Sequence, residues 1–437
     1  MKTSSELTSS IFEFLNENSK YAVLRNYEGL PLNNISRDID ILLEKKEFLK
    51  IESSIIKIIV ASKFKITTLY RSEKISTYVC AALSNGVIEL VQFDFFFNTS
   101  LFGILLLDTT SVLNSKKFNG AIYHVSKEYE FLDKYIQLKF LNKTYPQKYK
   151  ALEDVMRKNR LLPNILKVTF GITNFTELEN ITTSNLRRRI LLQNFKVKPF
   201  EQILLLILFF WNYFRNKLAY KGFSIGFTGP DGAGKTTVIN AIVKELSQLY
   251  SDIQLSHFRP TVIPNLGEAA QKTKLKSKLD LDYSKPHRGS QTSKTNSFIR
   301  LLYYSIDYII GYFFKIRPFL VRRSVVIFDR YFTDIIADSR RSRIFLNPKI
   351  LYWFGKVFIP KLDYNILLTA HKDIILARKQ ELTAEGIDNI NEKLNYLSEK
   401  RDYYLVFNEK TYEEAVQKIL TVIFEKQHQI NLKQIIK

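Results

Sequence analysis

Cysteine is nearly absent from this chain: Cys80 stands alone among 437 residues. An internal disulfide is excluded, and a reducing compartment, the cytoplasm, is the expectation. Met1 to Asn18 lacks the apolar core of a secretion signal. Long apolar runs are lacking too. Ile203–Trp211 is uninterrupted, but a bilayer span needs about 20 residues. Histidine is scarce, at five. His257 and His287 have no further ligands at metal spacing, which argues against a histidine-zinc site. No internal repeat and no nucleic-acid-binding motif is visible, so nucleic acid is not an expected partner. Acids are outnumbered, 43 against 65 lysines and arginines, for a net charge of +22. That excess suits an anionic membrane surface or a phosphorylated small molecule, or is simply the habit of a lysine-rich proteome.

A hydrophobic content of 46% and a charged content of 25% are those of a folded protein. The length calls for two or three domains. The most informative stretch is Gly229-Pro230-Asp231-Gly232-Ala233-Gly234-Lys235-Thr236-Thr237. It fits the phosphate-loop pattern G-x-x-x-x-G-K-[ST]. Phe223 to Thr228 before it reads as a short buried strand. Val238, Ile239, Ile242, Val243 and Leu246 after it have helical spacing. The glycines let backbone N–H groups and the helix N-terminus point at phosphate oxygens. Lys235 would reach the β- and γ-phosphates of ATP, and the Thr236 hydroxyl would hold Mg²⁺.

From residue 221 to 437 strands alternate with helices, with strands expected at Phe223–Thr228, Val325–Phe328 and Tyr364–Thr369. That predicts an α/β domain with a parallel, doubly wound sheet. Asp329 falls at the C-terminal end of one strand, where open α/β sheets bind ligands, and an acid there can hold Mg²⁺ opposite Thr236. Arg330 beside it would face an acceptor. Arg340, Arg341 and Arg343 would grip an anionic acceptor or form a solvated basic helix start. Asp334 or Asp338 would accept a hydroxyl proton or pair with those arginines. Gln271 to Ser297 is polar and basic, a closing excursion or a loop without fixed structure.

Residues 1–125 read as a small α/β unit. Helices are expected at Ser4–Asn16 and Phe48–Val60, and strands at Tyr21–Leu24, Asp38–Leu43, Lys65–Tyr70 and Val87–Phe95. Asp38 and Asp40 point to one face of their strand. Asp94 sits on another strand among apolar residues, where an acid is costly unless paired or bound to a cation. If those strands are neighbours, three carboxylates meet and would hold two Mg²⁺ for nucleotidyl transfer. Residues 126–220 read as a helical connector, clearest at Tyr135–Leu141 and Ala151–Arg157. It ends in Arg187-Arg188-Arg189, the Ile203–Trp211 run, and then Arg215 and Lys217. That run is either a buried helix or an interfacial one with a basic flank.

Three segments carry a family resemblance. The loop at 229–237, Asp329-Arg330-Tyr331, and Phe258-Arg259-Pro260 with Gly267-Glu268 resemble the thymidylate kinase family of P-loop kinases. Leu362 to Glu385 is similar to that family's last strand, helix and lid. The resemblance implies that Arg259 meets the acceptor phosphate and that Arg378 and Lys379 are lid cations. The chain departs from the family where Glu-Pro-Gly-Gly would follow Arg259 and where Asp334 replaces a serine. His257-Phe258-Arg259-Pro260, Pro286-His287 and the arginines at 340–343 resemble a subfamily encoded with bacterial surface-polysaccharide genes. Arg37-Asp38-Ile39-Asp40-Ile41-Leu42 resembles the nucleotidyltransferase superfamily, with Arg25-Asn26 where that family carries Gly-Ser or Lys-Gly.

The resemblances imply an ATP- and Mg²⁺-dependent kinase at 221–437 behind a nucleotidyltransferase-like domain at 1–125. Its partner would be a small anionic nucleotide or sugar acceptor in nucleotide-sugar or surface-polysaccharide metabolism. Two rivals stay open. In one, Asp38, Asp40 and Asp94 carry a nucleotidyl transfer and the P-loop half is regulatory. In the other, the chain is a nucleotide-gated adaptor at the inner membrane. A homodimer is a further expectation.

Overall fold

The computed structural model describes residues 3–84, 86–218, 222–263 and 293–436. Gly267, Glu268, Pro286, His287 and residues 271–292 of the polar excursion lie outside them. Residues 293–297 cap and open the helix Lys294–Gly311. The chain forms two compact units, Met1–Asn216 with Phe424–Lys437, and Lys217–Ile423.

The first unit is built on a seven-stranded mixed sheet. In chain order its strands are β1 (Tyr21–Val23), β2 (Asp38–Leu43), β3 (Lys65–Arg71), β4 (Ile75–Ser84), β5 (Val87–Phe96), β6 (Lys117–Phe118) and β7 (Tyr123–His124). Their spatial order is β3-β4-β5-β2-β1-β7-β6. Alternation along each strand sends side chains to opposite faces. Tyr21, Val23, Ile39, Ile41, Phe93 and Phe95 pack against the helices Ser4–Asn18 and Lys45–Ala61. The first of these helices opens on a capping box, in which Glu6 N donates to Thr3 Oγ1 and Thr3 N to the Glu6 carboxylate.

The other face corrects the expectation of a separate connector. Ala22, Leu24 and Leu42 share one core with Phe131, Ile136, Leu166, Phe170, Leu186 and Ile190. The helices from Lys127–Phe140 to Thr183–Val197 are thus the second layer over this sheet. That layer covers Ala22 of β1 and Leu42 of β2, apolar residues on the face opposite the first core. The chain's last segment also joins this unit, correcting the expected 221–437 boundary. Asn431 Nδ2 donates to Ile66 O at 2.8 Å, and Ile66 N donates to His428 Nδ1 at 3.1 Å.

The Ile203–Trp211 run is helical, within Pro199–Leu218, but it is not buried all round. Among the described residues no helix is long and apolar enough to cross a membrane.

The second unit carries a five-stranded sheet of β8 (Phe223–Thr228), β9 (Ile253–His257), β10 (Val325–Asp329), β11 (Tyr364–Thr369) and β12 (Tyr403–Phe407). The order is β12-β11-β8-β10-β9, and every pairing is parallel. This is the expected doubly wound α/β sheet. Strand order reverses at β8, between β10 and β11, and the crevice beyond the C-terminal strand ends at such a point is where ligands bind. All six residues of β8 are buried. The following helix, Lys235–Leu246, buries Val238, Ile239, Ile242 and Leu246 against it.

Candidate active sites

The phosphate loop leaves β8 at that reversal. Gly232 and Gly234 take φ of +90° and +85°, a left-handed backbone that only glycine adopts without strain. Gly234 has a second reason to be glycine: a Cβ there would lie 2.4 Å from Asn408 Nδ2. The following helix begins at Lys235. Lys235 Nζ donates to the Gly229 and Pro230 carbonyls, both at 2.8 Å, and lies 3.8 Å from Asp231. Burial, and then repulsion from Arg330, lower the Lys235 pKa to about 8 against the pull of the carboxylates around it. Thr236 and Thr237 are exposed on the first turn.

Asp329 ends β10, in register with Phe227 of β8 and His257 of β9. Its Oδ2 lies 3.2 Å from His257 Nδ1. Its Oδ1 is buried without a hydrogen-bond partner. Burial pushes the Asp329 pKa up, but His257, Arg330 and Lys235 outweigh it and hold the value below the usual carboxylate range. Arg330 follows with φ +76°, a strained backbone for a non-glycine residue, fixed by Arg330 N donating to Phe227 O at 2.9 Å. Its guanidinium spans two acids, Asp231 at 2.5 Å and Asp334 at 3.5 Å. Arg341 also pairs with Asp231, and its backbone N donates to Asp338 Oδ1 at 3.1 Å. Asp334 is 1% exposed. Its burial raises its pKa, against the pull of Arg330.

Lys235, Asp231, Asp329, Arg330, Asp334 and Arg341 therefore form one charged cluster under the loop. Other sequence candidates sit differently. Arg259 is buried, 3.0 Å from Asp307 and over the Tyr304 ring, and Asp307 also accepts from Val262 N and Ile263 N. Arg340 is exposed. Arg343 ends its short helix in a left-handed conformation. Arg378 ends the helix Lys372–Arg378 and donates to Asn408 O at 2.9 Å. Two participants escaped the sequence reading. One is His257 in its role beside Asp329. The other is Asn408, just after β12, whose Nδ2 donates to Ala233 O at 2.9 Å. The position of Asn408 after an apolar strand was the available signal.

The first unit has its own acid cluster. β2 and β5 are parallel neighbours with Asp40 opposite Asp94 and Asp38 opposite Gln92. One carboxylate oxygen from each of Asp38, Asp40 and Asp94 lies within 4.8 Å of the others. Each acid uses one oxygen locally. Asp38 accepts from Ser36 Oγ at 2.7 Å, Asp40 from Arg25 Nε at 2.6 Å, and Asp94 from Gln92 Nε2 at 2.9 Å. Asp40 Oδ1 and Asp94 Oδ1 are buried without partners. Burial, then repulsion from Asp38, Asp94 and Asp133, raises the Asp40 pKa to about 7 against the pull of Arg25. Two buried oxygens with nothing to bind, beside a third acid, fit a hard divalent cation. Arg25 also lies 3.7 Å from Asp133 of the helix Lys127–Phe140. Neither Asp133 nor the pairing of Arg25 with Asp40 is visible in the sequence.

No protein-family model matches the chain, and no curated protein matches it. Solved structures similar to it include thymidylate kinase from Ehrlichia chaffeensis, at 16% identity and a TM-score of 0.32, covering 46% of this chain and 98% of that one. Thymidylate kinase from Candida albicans is similar at 20% identity and a TM-score of 0.33, covering 47% of this chain and 93% of that one.

Proposed function

We propose that the Lys217–Ile423 unit is a P-loop kinase. It moves the γ-phosphoryl group of ATP onto a small anionic nucleotide or sugar acceptor, in nucleotide-sugar or surface-polysaccharide metabolism. The observation that carries this reading is the convergence of Lys235, Asp329 and Arg330 beneath a glycine-shaped loop at the reversal of a parallel sheet. Phosphoryl transfer asks for positioning and for neutralised charge more than for covalent chemistry. The loop N–H groups and the helix N-terminus bind phosphate oxygens. Lys235 would turn from the loop carbonyls to those oxygens, regaining full positive charge. Thr236 and Asp329 would hold Mg²⁺, which neutralises charge on the phosphates when bound. Arg330 and Arg341, both paired with Asp231, would grip the acceptor, since their planar forks suit an anion. Asp334 would take a proton from an attacking hydroxyl.

The test uses ATP labelled at the γ or the α position, with nucleoside monophosphates and sugar phosphates as acceptors. Transfer of γ-label is expected, abolished by Lys235→Ala and insensitive to Asp38→Ala with Asp40→Ala. Absence of γ-transfer to every acceptor class would sink the reading.

The orphaned oxygens of Asp40 and Asp94 favour a second reading, a nucleotidyl transfer in the first unit. It predicts α-label in a product, lost with the paired aspartate substitutions and kept in Lys235→Ala.

A further inference from the structure

The helix Pro199–Leu218 presents two unlike faces. One is fastened down. Gln202, only 1% exposed, donates from Nε2 to Gly103 O at 2.7 Å, and its Oε1 accepts from Leu105 N and from Asn194 Nδ2. Gly103 lies so close that a Cβ on it would sit 3.0 Å from Phe209 Cβ and 3.1 Å from Leu205 O. Phe102 meets the Phe209 ring edge-on. Such a contact fixes the roll of the helix about its axis, since a buried glutamine with three hydrogen bonds tolerates no rotation.

The face left outward is apolar. Phe200, Ile203, Leu204, Ile207, Phe210, Trp211 and Phe214 are all exposed, Phe200 at 87% and Trp211 at 66%. At about 100° per residue they fall within an arc of about 120°. The preceding helix, Thr183–Val197, also exposes Leu192, Phe195 and Val197. Exposed Arg215 falls at the edge of that arc, and Arg188 and Lys196 are exposed on the preceding helix. Arg187 and Arg189 are engaged elsewhere, with Phe140 O and Glu177. A stripe of Phe, Trp and aliphatic side chains edged by Arg and Lys is the composition of a helix that lies in a membrane interface.

We infer that this helix seats the protein on an anionic lipid surface, its apolar stripe among the acyl-chain ends and its cations among the headgroups. The chain's charge of +22 supplies the complementary attraction. The surface belongs to the first unit, so the inference stands apart from the kinase reading.

The experiment is co-sedimentation of the full chain with vesicles of phosphatidylcholine alone or with 30% phosphatidylglycerol, at two salt concentrations. Binding is expected only with the anionic lipid and weaker at high salt. Phe200→Ser with Trp211→Ser should lower it at least tenfold. Arg188→Gln with Lys196→Gln should cost about fivefold per charge at low salt. These positions are exposed, so melting temperature should not fall, which separates lost binding from lost fold. Arg189→Gln, which breaks only the pair with Glu177, should matter less than Arg188→Gln. No binding to either vesicle overturns the inference. So does a dimer in sedimentation velocity that Phe200→Ser with Trp211→Ser dissociates, because the stripe would then belong to a second copy.

Discussion

Arg330 donates from Nη2 to the Asp231 carboxylate at 2.5 Å, joining the end of β10 to the phosphate loop across 99 residues of sequence. Both side chains are largely buried. Breaking a buried pair from one side strands a charge, at about 3–5 kcal/mol. Asp334 stays 3.5 Å from Arg330 and softens the loss, so Asp231→Asn should cost about 3 kcal/mol. That corresponds to a fall in melting temperature of roughly 6–12 °C for the unit that unfolds. Differential scanning calorimetry reads it. A fall under a few degrees would mean that Asp334 alone satisfies Arg330.

The depressed pKa of Lys235 has a consequence for nucleotide affinity. Burial and Arg330 bring it to about 8 in the ligand-free protein. Bound phosphates favour the charged form and raise it. Below pH 8 the lysine is charged before and after binding, so affinity is flat with pH. Above pH 8 binding must take up a proton, and affinity falls by up to about tenfold per pH unit. Titration calorimetry at pH 7, 8 and 9, in buffers of different ionisation enthalpy, measures both the slope and the proton. Lys235→Arg should abolish the slope, since guanidinium stays protonated. A wild-type profile flat to pH 9 would contradict the argument.

Asn408 should matter to nucleotide binding although it lies 175 residues from Ala233. It donates to the loop through Nδ2 and anchors Arg378 through its carbonyl. Asn408→Ala keeps the carbonyl and removes the loop bond, worth about 1 kcal/mol or somewhat more. The expected result is a several-fold rise in KM for ATP with kcat changed less. Arg378→Ala should show the reverse split if Arg378 acts on the transferring group.

What was legible in the sequence follows from range. The loop at 229–237 is local, and its strand and helix lie beside it, so Lys235 and the start of the sheet could be read directly. Asp38, Asp40 and Asp94 were legible through strand alternation, with only the adjacency of β2 and β5 left to find. β4 was missed because Cys80, Ala81 and Ala82 are small and its pairing partners lie on both sides. Pairings such as Arg341 with Asp231 are set by the folded sheet, and local pattern carries no trace of them. The Ile203–Trp211 run left two readings open for a physical reason. It is apolar all round, which does not say which face is covered, and the residue that fixes its outward face is the polar Gln202 just before it.

The acid cluster of the first unit gives a test that needs no substrate. Asp40 is 2% exposed, and its ion-pair partner Arg25 also faces Asp133. Without a cation, the carboxylates of Asp38, Asp40 and Asp94 repel one another and pay for burial, which is why the Asp40 pKa rises to about 7. A raised carboxylate pKa means that the folded state holds a proton the unfolded chain has released, so this group's contribution to stability declines as pH climbs from about 4 to 7. Asp94→Asn, which removes charge and keeps shape, should therefore leave the metal-free protein as stable as the parent or more so at pH 8. A bound divalent cation reverses the order, because it needs the charge that the substitution removes. Millimolar Mg²⁺ or Mn²⁺ should raise the melting temperature of the parent by several degrees and that of Asp94→Asn hardly at all. Thermal melts with and without Mn²⁺ decide it, with electron paramagnetic resonance of the bound Mn²⁺ as a second readout in Asp329→Asn, which removes the acid proposed to hold the metal at the phosphate loop. Equal shifts in the parent and in Asp94→Asn would place the cation elsewhere and leave the three acids as an ion-pair network with Arg25.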